Sequence, residues 1–274
     1  MKRTTIFASF IALFAFLATD SALAQMPNKN PRKAYKGWRL VWADEFDGDS
    51  VDKSAWRRCQ AYTSDWNKHM SDLDSLVTVK DGILSLHAIK TPEGYNDPKG
   101  RPYITGGIEG KGLRSMQLGR FDVRCRFDCT IGFWPAAWLM PDNEKPWPNG
   151  GEIDIMEHLN FDKMVYQTLH TTYIHDKVEP NFTSGITYPI DPTVYNLYSV
   201  IISEDKIEFF VNGEKTMSYP RIETDHDNQF PYADHPYYVI LSAQLNGHWI
   251  GTADPEKLPV KMDVDYVRFY QKKQ

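Results

Sequence analysis

Cysteine is scarce, no long block of like charges occurs, and beyond the N-terminal segment no long apolar stretch exists. The 274-residue chain has three Cys, at positions 59, 125 and 129. An odd number of thiols cannot all pair, so a disulfide framework is excluded as the basis of the fold. Cys125 and Cys129 fall in one strand-like stretch, about 13 Å apart at strand rise, too far to bridge. A bond from Cys59 to either of them stays open beside the simpler reading, three small apolar fillers. No Cys/His spacing matches a zinc site. A net charge of -5 offers no basic face for phosphate, which argues against a nucleic-acid partner. No block of Lys or Arg marks a membrane patch. Internal repeats and long 3.6-residue apolar stripes are also missing, which argues against solenoids and helical bundles.

What is present begins with an export signal. Lys2 and Arg3 precede an apolar run over 6–17, and Ala22-Leu23-Ala24 forms an A-x-A cleavage site. The run is too short to span a bilayer comfortably. Residues 1–24 are expected to be a signal peptide and the polar, Pro-containing stretch 25–37 a linker. Residues 38–274 then form one domain, secreted or periplasmic and monomeric.

That domain reads as strands. Over 119–130, Phe121, Val123, Cys125, Phe127 and Cys129 alternate with Asp122, Arg124, Arg126 and Asp128, a strict period of two. Further strands are expected over 76–79, 83–89, 195–202, 206–211, 237–245 and 260–270. Asp81-Gly82, Asn212-Gly213 and Asn246-Gly247 punctuate them as turns, Asn212-Gly213 as a tight hairpin. Many short strands without helices predict an all-β, two-sheet β-sandwich or jelly roll.

Chemistry concentrates in Glu152-Ile153-Asp154-Ile155-Met156-Glu157. In a regular strand Glu152 and Asp154 share a face and Glu157 points the other way. A one-residue bulge near Ile155 or Met156 would return Glu157 to the acidic side. Three carboxyl groups would then crowd one face, and their mutual repulsion would raise at least one pKa. Hydrolysis of a glycosidic bond uses that asymmetry, with one carboxylate ionised for attack and one carboxylic acid protonating the leaving oxygen. Two plainer readings compete: a merely solvated acidic face, and a cation site completed by His158.

The six residues resemble the E-x-D-x-x-E signature of glycoside hydrolase family 16 in its bulged form. The likeness continues in Trp42-Ala43-Asp44-Glu45-Phe46-Asp47-Gly48, Asp81-Gly82-Ile83-Leu84, Gly119-Arg120-Phe121 and Trp134-Pro135-Ala136-Ala137-Trp138. It closes with Val211-Asn212-Gly213 and Val264-Asp265-Tyr266-Val267-Arg268. The resemblance implies a jelly roll with a substrate cleft on its concave face and a retaining mechanism. Glu152 would be the nucleophile, Asp154 its helper and Glu157 the general acid/base. It also implies a His near the acid/base, matched by His170, and in many relatives a structural Ca2+ held by an Asp matching Asp265. No other cofactor is required.

Indole faces suit the C–H faces of sugar rings, although Trp in a sandwich is as often core. Trp138 and Trp249 are expected as platforms, with Trp134 beside the acids. Gln244 and Asn246 are candidates for hydroxyl contacts, and Trp66 and Asn67 for a cleft-edge loop. The bulged motif disfavours the unbulged lichenase and xyloglucan-modifying branches, and Phe230-Pro231-Tyr232, Gln244–Trp249 and Leu258-Pro259 resemble gut-bacterial members acting on poly-N-acetyllactosamine or mucin O-glycans. An endo-β-1,4-galactosidase is therefore expected, with a laminarinase-like β-1,3- or mixed-linkage glucanase as the alternative. A non-catalytic carbohydrate-binding protein is the remaining reading, and it would have no need of both Glu152 and Glu157.

Overall fold

The computed structural model describes residues 35–273, so the expected signal peptide and residues 25–34 of the expected linker lie outside the described residues. Two antiparallel sheets stack face to face. The first contains β1 (Trp38–Asp44), β3 (Val77–Lys80), β4 (Ile83–Lys90), β5 (Tyr103–Thr105), β8 (Gly119–Phe127), β13 (Asn196–Ile202), β14 (Lys206–Val211), β15 (Glu214–Pro220) and β17 (Val260–Lys272). The second contains β2 (Arg57–Arg58), β6 (Gly107–Glu109), β7 (Ser115–Met116), β9 (Phe133–Pro141), β10 (Glu152–Glu157), β11 (Met164–His170), β12 (Gly185–Pro189) and β16 (Tyr237–Leu245). Across the second sheet the order is β12-β11-β10-β9-β16-β6-β2. One short helix, α1 (Thr172–His175), follows β11. No helix among the described residues is long and apolar enough to cross a membrane.

The alternation in β8 explains how the layers meet. Phe121, Val123, Cys125 and Phe127 are buried in the inter-sheet core with Ile153, Ile155 and Met156 of β10. The opposite face of β8 is not open to water along its whole length. Arg120 pairs with Asp122 at 2.7 Å, Arg124 with Asp265 at 2.5 Å and Arg126 with Asp263 at 3.1 Å, and most of these groups are buried. Breaking such a buried pair by removing one partner costs about 3–5 kcal/mol, because a charge is left stranded. Tyr35 donates to Asp122 at 2.7 Å and packs edge-on against Tyr270. Tyr35, which falls in the stretch expected to be linker, is thus part of this face.

Other expectations need small corrections. The strand over 119–130 stops at Phe127, so Cys129 lies beyond it. All three cysteines are free thiols, which closes the question of a bond from Cys59. The hairpin at Asn212-Gly213 is as expected: β14 and β15 pair across it, and both residues have positive φ (52° and 90°), the primed turn that matches strand twist.

A second apolar cluster lies on the other side of the second sheet. Ala136 and Trp138 of β9 join Tyr238 and Ile240 of β16, with Cys59 and Met70, and Trp66 and Met140 pack against them. It floors the cleft.

Candidate active site

The acids reach this cleft through a bulge. On β10, Asp154 pairs with Thr168 and Glu157 with Tyr166 of β11, so three steps along β10 oppose two along β11. On the other side Asp154 pairs with Trp138 and Met156 with Ala137. The inserted residue lets Ile155 and Met156 both enter the core, fully buried, while Glu157 returns to the side of Glu152 and Asp154. Gln167 fixes the irregularity: its buried side chain donates to the Ile155 carbonyl at 2.9 Å and accepts from Thr216 Oγ1. At the entry to β10, Gly151 has φ +81°, and a Cβ there would stand 2.8 Å from the Tyr232 ring. Only glycine suits that position.

Two connected spaces hold the acids. A cleft of about 530 Å³ runs from Glu152 over Trp138 and Trp66 toward Tyr238, Glu109 and Arg57, crossing the strands. A smaller space of about 70 Å³ lies between Glu152, Asp154 and Glu157, walled by Trp134, Trp138 and Gln244.

Each carboxyl group has a distinct set of neighbours. Trp147 Nε1 donates to Glu152 Oε2 at 2.5 Å, and Glu152 and Asp154 hydrogen-bond side chain to side chain. His170 Nε2 stands 3.2 Å from Asp154 Oδ2. Trp134 Nε1 donates to Glu157 Oε1 at 2.9 Å. Burial is the main cause of raised pKa values throughout. Glu152 is pushed up to about 8 by burial and then by the charge of Asp154, and Asp154 by burial to about 7. Glu157 is held well above the usual carboxylate range by burial and then by Asp154. The hydrogen bond between the Glu152 and Asp154 carboxyl groups requires a proton between them, and burial favours the protonated form of Glu157.

The structure brings together most of the expected residues. Trp66, Trp134, Trp138 and Gln244 line the cleft. Trp249 is half-exposed at the Glu157 end, edge-on to Trp134 and Tyr166 at ring distances of 5.6 and 5.1 Å. Other expectations fail. Asn246 braces a loop: its amide meets Tyr103 and His69, and its carbonyl oxygen accepts from Ala253 N at 2.5 Å. Asn67 is buried and lines neither space. His170 lies opposite Glu152 across β10 and β11, in contact with Asp154, and its charge also bears on Glu157. His158, considered for a cation site, turns away into the core against Phe127 and bonds the Asp162 carbonyl at 2.7 Å.

Metal binding finds little support in these groups. Glu152, Asp154 and His170 each bring one suitable atom within 4.8 Å of the others, but Glu152 is already hydrogen-bonded to Trp147 and to Asp154. A Ca2+ at Asp265 does not fit, because the Arg124 guanidinium stands 2.5 Å from that carboxylate and supplies the positive charge.

Trp147 and Gln167 escaped the sequence reading. Trp147 sits in a connection between two prolines, Pro146 and Pro148, where no periodicity operates; its place five residues before Glu152 was the one available signal.

A two-sheet sandwich with three carboxyl groups, two of them buried, on the floor of a tryptophan-lined cleft is the architecture of a glycoside hydrolase. Residues 121–187 match the model of the XgeA-like catalytic domain of glycoside hydrolase family 16. The chain is 30% identical to SCLam, a non-specific endo-β-1,3(4)-glucanase of that family, with a TM-score of 0.77 over 89% of this chain and 95% of that one. A structure from work on endo-acting O-glycanases of the human gut microbiota is also 30% identical, with a TM-score of 0.74 over 86% of this chain and 100% of the other. This chain belongs to glycoside hydrolase family 16. It is 33% identical over 85% of its length to the keratan-sulfate endo-1,4-β-galactosidase of Sphingobacterium multivorum, of which it spans about half (55%). It is 29% identical to the β-glucanase of Rhodothermus marinus, over 99% of this chain and 95% of that one.

Proposed function

We propose that the protein is an endo-acting, retaining β-glycosidase that cuts β-1,4-galactosidic bonds in poly-N-acetyllactosamine or mucin-type O-glycans. The observation that carries the reaction is the bulge, which sets Glu152, Asp154 and Glu157 on one face beneath an open cleft. Glu152 attacks the anomeric carbon while Glu157 protonates the departing glycosidic oxygen, giving a glycosyl-enzyme. Glu157, now ionised, takes a proton from water, whose oxygen displaces Glu152 from the anomeric carbon. Burial favours the protonated form of Glu157, and the Trp147 N–H favours charge on Glu152 against the rise that burial imposes there. The cleft continues past the acids across neighbouring strands, as an internal cut in a longer chain requires.

The galactosidase reading is supported by the likeness to the Sphingobacterium enzyme and to the O-glycanase structure. A β-1,3- or mixed-linkage glucanase is the second reading, favoured by the near full-length match to the Rhodothermus enzyme. One panel separates them: laminarin, barley β-glucan, agarose, keratan sulfate and mucin glycans, with products identified by mass. Fragments ending in reducing galactose from the lactosamine substrates are expected. Glucose-ended fragments from laminarin, with lactosamines untouched, would replace the first reading by the second.

A further inference from the structure

Two imidazoles beside the acids have no part in the reaction as described. His170 Nδ1 lies 3.0 Å from Nε2 of His175, the last residue of α1, and the ring centroids are 5.3 Å apart. The Trp147 indole packs on both rings, at 6.0 and 5.1 Å. Thr172 Oγ1 hydrogen-bonds Asn149 Oδ1, tying α1 to the connection that carries Trp147. The buried Asp154 Oδ2, 3.2 Å from His170 Nε2, has no hydrogen-bond partner of ordinary geometry among the described residues. A buried carboxyl oxygen so placed needs a proton contact, and His170 is the group that faces it.

Two ring nitrogens 3.0 Å apart require one proton between them. Burial, and then the neighbouring His170, push His175 toward its neutral form. A neutral His175 protonated on Nδ1 offers a bare Nε2 as acceptor. His170 then carries its proton on Nδ1 and turns a bare Nε2 toward Asp154. A proton in that contact can sit on Asp154 oxygen or on His170 nitrogen. In both cases it is off Glu152.

We propose that His175 is a positioning residue that holds His170 in its Nδ1–H form, so that the proton otherwise shared by Glu152 and Asp154 is drawn into the Asp154–His170 contact and Glu152 remains a carboxylate. The inference rests on Glu152 being the nucleophile. The charged and titratable groups facing the pair are Glu152, Asp154 and Glu157 on β10, and Asp176 next to His175 in the chain. His175 lines neither space of the cleft, so its effect on sugar binding is indirect.

Nitrogen-15 NMR of the labelled protein reads the tautomer directly, with His170 assigned by the signals lost in His170→Gln. Wild type should show Nδ1–H at His170. His175→Gln, whose side-chain oxygen can accept, should keep it, whereas His175→Phe should lose it. In pH profiles of kcat/KM, His175→Phe should move the acidic limb up by about one unit. The alkaline limb and KM should stay, and His175→Gln should restore the wild-type profile. An Nε2–H tautomer in wild type, or a His175→Phe enzyme with unchanged tautomer and acidic limb, overturns the proposal. Activity surviving in Glu152→Gln would instead remove the nucleophile assignment, and the NMR result would still decide the geometry of the pair.

Discussion

The side-chain amide of Gln167 and the carbonyl of Ile155 meet at 2.9 Å inside the sheet, where the extra residue of β10 would otherwise leave that oxygen without a donor. That contact lies two residues before Glu157, within the bulge that turns its side chain.

Gln167→Leu should keep the volume and remove the donor. Leaving a buried carbonyl unsatisfied costs roughly 1–3 kcal/mol, seen as a lower midpoint in denaturant. Activity should fall by about tenfold or more, because the acid/base loses its placement. Wild-type kcat in this variant would show that the bulge holds without Gln167.

Glu152→Gln should lower kcat by about four orders of magnitude or more. In wild type, NMR of the first product should show the β-anomer, as double displacement at a β-bond demands. An α-anomer would rule that mechanism out. Glu157→Ala should harm substrates with poor leaving groups most, and azide should partly restore turnover of activated ones.

Trp134→Phe tests the acid/base. The indole N–H stabilises ionised Glu157 and so opposes the rise that burial imposes. Without it the Glu157 pKa goes higher, and the alkaline limb of kcat/KM should move to higher pH. A limb that stays or moves down would show that another group sets it.

The buried acids should also mark stability. Glu152 and Asp154 are both raised by burial, so the folded pair keeps a proton at a pH where both groups of the unfolded chain have lost theirs, and unfolding releases it at intermediate pH. By linkage, the pair's contribution to stability declines as pH rises from the unfolded pKa through the folded one. Glu152→Gln should therefore raise the melting temperature relative to wild type more at pH 8 than at pH 5. Equal differences at both would mean that the carboxyl does not titrate in that window.

Two tryptophans should part company. Trp249→Ala, at a half-exposed edge, should raise KM and leave the melting temperature within about a degree or two, as surface changes do. Trp138→Ala removes a ring buried beneath the cleft and should destabilise by about 3–5 kcal/mol. Reversed effects would exchange their roles.

Much of this was legible in the chain because strands write their faces at every second residue. The alternation around Phe121, the Asn212-Gly213 turn and the break in parity between Asp154 and Glu157 are all local. They gave the sandwich and the three acids. What stayed hidden depends on residues far apart in sequence. Nothing near Asn246 tells that Tyr103, His69 and Ala253 engage it, nor near Asp265 that Arg124 neutralises it. His170 was placed among the acids but its contact with Asp154 was not foreseen, because register between β10 and β11 is a property of the sheet. Trp147 and His175 sit in a connection and a single helical turn, where neither period applies.

The three thiols carry a practical consequence. Cys59 and Cys125 are sealed in apolar surroundings and all three have raised pKa values, burial being the first cause in each, so little thiolate is present at neutral pH. Stability here comes without a covalent staple. Dithiothreitol should leave the enzyme's melting curve untouched, and maturation needs no disulfide-forming catalyst whichever side of a membrane the chain folds on.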